Sequence, residues 1–439
     1  MTAQKASGFL PIARDKVLVR GAKHTVLIDF DAGQLLQVDD HALLEKENES
    51  ADAPETHRRE LDSPIFYTAP VGIVPSVPTG CTLPSPEPAC GSDEADVGSP
   101  ELDSLWIEVT SRCNLRCVHC YADSEPGGER GLPVGILEEV INQAAELGCR
   151  AVQFTGGECL LREDLPTLIE HALARGITLI EVFTNGTLLR EDTIKFFHRK
   201  GIHVAISLHS YRAGVHDAIT GVIGSFDKTM NALKLLLAYG VPTRCAIVAM
   251  KQNESDLLLT SYFLSQLGVF SRLPDPIRPG GRGIPSEYWP EEYGERFFLT
   301  QPHFPVSRED FTNNCRGNSC WRGKAAVTSS GSVIPCIFAR DQITGYVPRQ
   351  SLRQILSGEE MQSYWSLTKD KVETCGVCEY RYLCTDCRAL AVGLTGNLYA
   401  KSPRCTYNPI AGTWGPLEYP LPFQIQSCSD CSARKRCLS

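Results

Sequence analysis

Three cysteines occur close together in the stretch CNLRCVHC. Three residues separate Cys113 from Cys117, and two separate Cys117 from Cys120. A structural zinc site requires four ligands, and no histidine is positioned as the fourth, so one coordination position would stay open. A cubane iron–sulfur cluster held by three thiolates likewise leaves one iron free to bind a substrate or a cofactor. The spacing therefore indicates a reactive metal site.

The chain contains 19 cysteines among 439 residues, and most of them are clustered. The N-terminus lacks the uninterrupted apolar segment of a secretory signal, so we expect a cytoplasmic protein whose thiols stay reduced. Metal ligation therefore explains the clusters better than disulfides do. Among the isolated cysteines, Cys149 and Cys245 are expected to act as small hydrophobes. The clusters are Cys113, Cys117 and Cys120; Cys315, Cys320 and Cys336; Cys375, Cys378, Cys384, Cys387 and Cys405; and Cys428, Cys431 and Cys437.

The overall composition is that of a globular protein with two or three domains. Hydrophobic residues make up 42% of the sequence and charged residues 22%. No apolar run approaches the roughly 20 residues that cross a bilayer, so we expect no membrane association. The net charge of −9 argues against a phosphate-binding surface and therefore against a nucleic-acid partner.

Between Leu105 and about Leu273, apolar strands alternate with helical stretches. The strands are LWIEV, AVQFT, TLIEVF, HVAISL, TRCAIVAM and GVFSRL. Six strand–helix units favour an α/β fold with a parallel sheet, curled into a partial barrel. Ligands bind at the carboxyl ends of the strands in such sheets. The cysteine loop, TGGE (155–158), TNG (184–186) and SLHS (207–210) follow the first four strands, so we expect them to converge on one rim.

In this context the cysteine loop resembles that of the radical S-adenosylmethionine (radical SAM) superfamily, whose CxxxCxxC motif is matched by Cys113, Cys117 and Cys120. The resemblance implies a partial (β/α)6 barrel and a 4Fe–4S cluster whose open iron chelates S-adenosylmethionine. Reductive cleavage of the cofactor then gives a 5′-deoxyadenosyl radical. An external electron donor of the flavodoxin or ferredoxin type is implied as a partner.

Further residues resemble the cofactor-binding positions of the superfamily. TGGE matches the GGE motif, which implies backbone contact with the methionyl group and a charge-assisted hydrogen bond to the Glu158 carboxylate. Asn185 and Ser207 resemble residues that bind the ribose or the carboxylate, and His119 matches a position that commonly packs near adenine. Cys159 stands where many relatives have proline, and no role is predicted for it. The predicted cofactor-binding residues are His119, Thr155, Gly156, Gly157, Glu158, Asn185 and Ser207.

The second and third cysteine clusters resemble the SPASM extension of radical SAM enzymes, which holds two further 4Fe–4S clusters. The matching stretches are GSVIPC, CGVCEYRYLCTDC and SPRCTYNP. Two residues separate Cys384 from Cys387, where the family pattern has three. A zinc ribbon over residues 375–387 is the alternative. The resemblance assigns Cys315, Cys320, Cys336 and Cys387 to a nearer auxiliary cluster, and Cys375, Cys378, Cys384 and Cys405 to a farther one, giving three clusters in all.

Residues 1–64 are expected to form a small α+β domain. Two β-rich stretches flank Gly21 to Lys23, a turn signal follows at Asp31 to Gly33, and a helical stretch comes next. The stretch VRGAKHTVLIDFDAGQLLQVDD resembles the leader-binding domain of peptide maturases of the grasp-with-SPASM or geopeptide type, where a leader could add to a β edge. A domain that merely covers the barrel is the alternative. The other predicted regions are a Pro-rich linker (65–101), the radical SAM core (102–300), the SPASM domain (301–412) and a Cys-containing tail (413–439). We expect the tail to be dispensable, and a contribution of its cysteines to a metal site is the alternative.

These features together predict an enzyme that abstracts hydrogen from a ribosomally synthesised precursor peptide to install a crosslink or an oxidation. The alternatives are an anaerobic sulfatase-maturating type of enzyme, a radical SAM dehydrogenase of a small molecule, and an iron–sulfur electron carrier, which the open cluster argues against. The sequence does not identify the general base. His209, His216 and Asp217 in HSYRAGVHD are candidates for it.

Overall fold

The computed structural model describes residues 9–38, 101–271, 274–291, 304, 306–385 and 387–415. Most of the predicted Pro-rich linker, with Cys81 and Cys90, lies outside the described residues, as do the tail cysteines Cys428, Cys431 and Cys437. The described chain contains an N-terminal antiparallel sheet, a nine-stranded mixed sheet with flanking helices, and a cysteine-rich C-terminal region.

The N-terminal sheet has four antiparallel strands in sequence order. Val19, Val26 and Ile28 are fully buried, so this sheet has an apolar face. The hairpin predicted around residues 21–23 is confirmed, because Arg20 pairs with Thr25 across it. The strands are β1 (Phe9–Ala13), β2 (Lys16–Arg20), β3 (Thr25–Asp29) and β4 (Gln34–Val38).

The turn predicted at residues 31–33 joins β3 to β4. Asp29 Oδ1 accepts hydrogen bonds from the backbone N–H groups of Asp31 and Ala32 at 3.1 and 3.0 Å, and Gly33 has a left-handed φ of 62°. The helix expected after this turn is wrong for residues 34–38, because pairing of β4 with β3 satisfies their backbone groups instead. The remainder of the expected helical stretch lies outside the described residues.

The six strands predicted for the central sheet are confirmed. Strands β5, β6, β7, β8, β9 and β11 are parallel neighbours in that order, whereas β10 pairs with β12 in a separate sheet. The elements in chain order are β5 (Ser104–Glu108), α1 (Val134–Glu146), β6 (Ala151–Thr155), α2 (Leu165–Ala174), β7 (Leu179–Thr184), α3 (Glu191–Lys200), β8 (His203–Ser207), α4 (Ala213–Thr220), α5 (Ser225–Ala238), β9 (Thr243–Ala246), β10 (Val248–Ala249), α6 (Leu257–Gln266), β11 (Phe270–Ser271) and β12 (Asp275–Pro276).

The two faces of the central sheet differ in polarity because side chains alternate along each strand. The buried core between sheet and helices includes Ile107, Phe154, Val182 and Ile206. The alternating positions of the opposite face carry both polar and apolar side chains. There, the Arg244 guanidinium donates two hydrogen bonds of 2.7 Å to the Glu181 carboxylate. The face of the sheet away from the helices therefore carries a charged pair.

Helix α1 shows how a helix covers the central sheet. Helix α1 buries Leu137, Val140, Ile141 and Ala144 on one face, in the spacing expected of a helix that covers a sheet. Within the described residues, no helix combines the length and the apolar composition needed to cross a bilayer.

The C-terminal region continues the central sheet. Strand β13 pairs in parallel with β5, and β14 and β15 follow in antiparallel pairing. The strand order runs from β11 at one edge to β15 at the other, which agrees with an open, partial barrel. The sequence did not predict this shared sheet, which fixes the two cysteine-rich regions relative to each other. The elements are α7 (Arg308–Arg316), β13 (Lys324–Val327), β14 (Ser332–Ile334), β15 (Gly345–Tyr346), α8 (Leu352–Ser357), α9 (Glu359–Trp365), α10 (Arg388–Thr395), β16 (Tyr407–Asn408) and β17 (Thr413–Trp414).

The N-terminal sheet lies against the C-terminal region. The rings of Phe9 and Phe30 pack edge-on against Phe311, with centroid distances of 5.2 and 5.4 Å. Arg381 Nη1 donates a hydrogen bond to the backbone oxygen of Arg20 at 2.9 Å. Aromatic burial and a side-chain-to-backbone hydrogen bond therefore both hold the sheet in place.

Candidate functional site

The loop that carries Cys113, Cys117 and Cys120 lies beyond the carboxyl end of β5. Cys113 is buried. The backbone N–H groups of Leu115 and Ser124 donate to the Sγ atoms of Cys113 and Cys120, each at 3.4 Å. Such N–H···S contacts stabilise a thiolate, which is the form that binds metal.

The thiols of this loop need a nearby positive charge in order to ionise. Burial, with a smaller contribution from the neighbouring Cys120, raises the pKa of Cys113 to about 11 and that of Cys117 to about 12. None of the described cysteines forms a disulfide, and no described group of three or more His, Cys, Asp or Glu side chains is arranged around a single metal ion. Buried thiols that repel one another when ionised need a positive charge, which bound iron supplies. The donor set therefore fits the predicted iron–sulfur cluster.

The glycines of TGGE press against the chain just before Cys113. A Cβ atom on Gly156 would lie 2.3 Å from the carbonyl oxygen of Thr110, and one on Gly157 would lie 2.0 Å from that of Arg112. The Gly157 N–H donates to the same Thr110 oxygen at 2.7 Å. The contact with the cysteine loop thus already requires glycine at both positions. The predicted backbone contact with the methionyl group stays a prediction.

Glu158 is fully buried and hydrogen-bonded by the protein. Its carboxylate accepts hydrogen bonds from Thr184 Oγ1 at 2.6 Å, from the Asn185 N–H at 2.8 Å and from the Leu160 N–H at 3.1 Å. Burial nevertheless raises the pKa of this carboxyl above its ordinary value. Glu158 therefore ties the TGGE turn to the end of β7, and its predicted pairing with an ammonium group stays a prediction.

Asn185 lies beside the cysteine loop. Its Nδ2 donates to Asn114 Oδ1 at 3.0 Å and lies 3.9 Å from Cys113 Sγ, while its Oδ1 accepts from the Thr187 N–H at 2.9 Å. The structure therefore brings together Cys113, the TGGE turn and Asn185, as the rim prediction requires. Ser207 ends the neighbouring strand β8.

Three histidines meet at this rim. The ring centroids of His119 and His209 are 4.5 Å apart, and those of His209 and His216 are 5.5 Å apart. Burial lowers the pKa of both His119 and His216 to about 4, so both rings are neutral near pH 7. Within the described residues, one buried ring nitrogen of each histidine has no hydrogen-bond partner. The adenine contact predicted for His119 suits a neutral ring.

The Asp217 carboxylate is hydrogen-bonded to the start of helix α5. Its carboxylate accepts from the N–H groups of Gly224 and Phe226 at 2.7 and 2.8 Å and from Ser225 Oγ at 2.8 Å. Burial alone would raise the pKa of Asp217, but these hydrogen bonds hold it below its ordinary value. The carboxylate caps the start of α5, which disfavours it as the general base.

The auxiliary cysteines form two spatial groups. Cys336 interacts electrostatically with Cys320 and Cys387, and burial, followed by Cys320, raises its pKa to about 12. Cys378 interacts in the same way with Cys375 and Cys384. Each trio belongs to one of the two predicted sets, and the assignment of ligands to clusters stays a prediction. Cys405 packs in the apolar cluster that contains Cys378, as expected for the farther set, but Cys315, which was assigned to the nearer set, packs in that same cluster.

Two arginines at the site were not predicted. Arg282 donates from Nε to the Cys117 carbonyl at 2.9 Å and from Nη2 to the Ser124 carbonyl at 2.8 Å. Arg340, from the C-terminal region, forms an ion pair with Glu108 at the end of β5. Both arginines contact residues that are far away in sequence, so no local pattern predicts these contacts. The unusual run RPGGRG around Arg282 was the one sequence feature that could have drawn attention to this segment.

The chain resembles known proteins over most of its length. Residues 107–261 match the radical SAM superfamily, and residues 315–388 match SPASM, an iron–sulfur cluster-binding domain. The chain is 28% identical to an AdoMet-dependent heme synthase of Methanosarcina barkeri, covering 69% of this chain and 95% of that protein. It is 25% identical to the antilisterial bacteriocin subtilosin biosynthesis protein AlbA of Bacillus subtilis, covering 69% and 70%.

A solved structure resembles the fold over nearly the whole chain. Streptococcus suis SuiB bound to S-adenosylmethionine gives a TM-score of 0.56 at 16% identity and covers 91% of this chain and 100% of that chain. SuiB bound to precursor peptide SuiA gives a TM-score of 0.53 at 14% identity, covering 90% and 98%. At identities of 16% and 14%, the similarity to SuiB concerns the fold alone.

Proposed function

This chain belongs to the radical SAM superfamily and carries a SPASM domain, and from that premise we propose that it modifies a ribosomally synthesised precursor peptide. The observation that carries the proposal is the four-stranded N-terminal sheet, which packs on the C-terminal region and has an edge strand, β4, whose outer side pairs with no described strand. The relative AlbA is named for bacteriocin biosynthesis, and SuiB has been solved with a precursor peptide. Both support a peptide substrate.

Different residues of the chain have different roles in the proposed reaction. Cys113, Cys117 and Cys120 would hold the first cluster, and the two C-terminal cysteine sets would hold two auxiliary clusters. When bound at the first cluster, S-adenosylmethionine would supply the radical chemistry for removing hydrogen from the peptide. His119 offers a neutral, buried ring beside that position, and Asn185 offers an amide. The face of the sheet that carries Glu181 and Arg244 receives the residue to be modified.

The edge of β4 is the better place for a leader peptide to add as a strand. Strand β1 contains Pro11, which lacks an N–H group, and its register shifts between Pro11 and Ala13. Proline and a bulge both disfavour the pairing of a further strand at a sheet edge. Strand β4 contains no proline, and no described strand pairs with its outer side. We therefore assign the leader to the edge formed by Gln34–Val38.

Site-specific photocrosslinking tests this assignment. A photoreactive amino acid at the exposed Gln34 of β4 should capture a labelled leader peptide, and the same group at Ile12 of β1, which is 48% exposed, is the matched control. Capture at Gln34 in clear excess over Ile12 is the expected result. Equal capture, or capture only at Ile12, would contradict the β4 edge.

A small-molecule substrate is the second candidate, because the chain resembles an AdoMet-dependent heme synthase over 95% of that protein. Co-expression with the short peptide encoded nearest the gene, followed by tandem mass spectrometry, separates the two candidates. A mass change in the peptide supports peptide modification. An unmodified peptide together with turnover of an iron porphyrin would favour the second candidate.

A further inference from the structure

Arg278 lies at the nearer auxiliary cysteine set. It follows β12, and its side chain is only 15% exposed. Its Nη1 lies 3.6 Å from Cys387 Sγ, within hydrogen-bonding distance for sulfur, and its guanidinium carbon lies 5.1 Å from the centre of the Phe338 ring. Its ion-pair partner Asp275 lies 3.4 Å away but is 70% exposed, so solvent weakens that pairing. A largely buried positive charge is therefore directed at a cysteine sulfur.

The residues after Arg278 contact the first cysteine loop directly. The Arg282 N–H donates to the Cys120 carbonyl at 3.0 Å. A Cβ atom on Gly281, whose φ is 52°, would lie 2.3 Å from that same carbonyl oxygen. On the other side, the Tyr121 ring packs edge-on against Phe338 at 5.0 Å. The segment 278–283 and this aromatic pair thus connect the two cysteine sites by direct contact.

We propose that Arg278 sets the reduction potential of the nearer auxiliary cluster while its segment holds that cluster in register with the radical site. The inference rests on the proposed function, in which Cys320, Cys336 and Cys387 ligate an auxiliary cluster. Reduction adds negative charge to a cluster, so a nearby cation stabilises the reduced state. A hydrogen bond to a ligating sulfur acts in the same direction. Arg278 thereby raises the potential and is a positioning residue, since it acts through Cys387.

Redox titration of the anaerobically reconstituted enzyme, followed by electron paramagnetic resonance, tests the role of Arg278. Arg278→Gln should move one auxiliary midpoint to lower potential, and Arg278→Lys should move it less because the charge is kept. The control is Arg322→Gln, which removes an exposed guanidinium near Cys320 in sequence and should leave all midpoints unchanged. An unchanged midpoint in Arg278→Gln at full iron content would overturn the inference.

Iron content separates this inference from the proposed function. Wild-type enzyme that binds only one cluster's iron would overturn the auxiliary assignment itself, and the inference with it. If Arg278→Gln loses iron, the lysine variant decides. Full iron content with a near-wild-type midpoint in Arg278→Lys supports the role of the charge, whereas equal iron loss in both variants would show that Arg278 acts through packing alone.

Discussion

Single residues at the rim show how burial shapes the chemistry of this site. Glu158 is fully buried, yet three protein donors satisfy its carboxylate, so its first role is to join β6 to β7. Cys113, beside it, is also buried, and its thiolate would be stable only with a compensating charge. The side chains predicted to bind the cofactor and its cluster therefore also anchor the fold.

Replacing Cys113, Cys117 and Cys120 together by alanine should abolish 5′-deoxyadenosine formation. The three thiols are the proposed ligands of the cluster that binds the cofactor, whereas the auxiliary cysteines are on the C-terminal region and should keep their iron. Chromatographic assay of 5′-deoxyadenosine together with iron analysis checks both statements. Cys149→Ala, in a buried position away from the rim, is the control and should retain activity. Undiminished cleavage in the triple variant would contradict the cluster assignment.

His216 should make folding stability depend on pH. Its pKa is about 4 in the folded protein because of burial, and about 6.5 when unfolded. The unfolded state therefore binds the proton more tightly, so stability is lost as the pH falls from 6.5 towards 4. Between pH 7 and pH 5, urea unfolding should show wild type losing about 1–2 kcal/mol more than His216→Asn. The exposed His198→Asn variant should behave as wild type does, and an identical pH response in all three proteins would contradict the assignment.

Sequence patterns predicted the secondary-structure elements better than the contacts between them. The six central strands were predictable from their apolar runs, although β11 is followed by β12 and not by a helix. Strand β1 was missed because Pro11 interrupts its pattern, and β15 because two residues, Gly345–Tyr346, become a strand only through their partner. The cysteine and TGGE motifs were found by spacing. Arg282 was not, because its partner Cys117 lies 165 residues away.

The contact between the TGGE turn and the cysteine loop should tolerate no side chain. Gly157→Ala would place a Cβ atom 2.0 Å from a backbone oxygen, so the turn must move away from the loop at a cost of about 1–3 kcal/mol. We expect the affinity for S-adenosylmethionine, measured by calorimetry, to fall about tenfold or more. Gly135→Ala, on α1 with nothing within 4 Å of its Cβ position, is the control and should bind normally. Wild-type affinity in Gly157→Ala would show that the turn can relax freely.

The whole molecule couples three parts through direct packing. Strand β13 joins the C-terminal region to the central sheet, and the N-terminal sheet covers Phe311 and Tyr382 of the C-terminal region. Deleting the N-terminal sheet would therefore expose an apolar surface as well as remove the proposed peptide-binding edge. A deletion changes stability and binding together, so the peptide is the better component to vary.

The central claim is most directly tested by giving the intact, reconstituted enzyme a full-length precursor peptide or the same core peptide without its leader. A leader held on the N-terminal sheet raises the effective concentration of the core at the rim. Mass spectrometry should therefore show a new covalent modification in the full-length precursor and a much smaller yield in the leaderless peptide at equal concentration. Formation of 5′-deoxyadenosine with no mass change in either peptide would contradict peptide modification, and equal yields would contradict the leader-binding role.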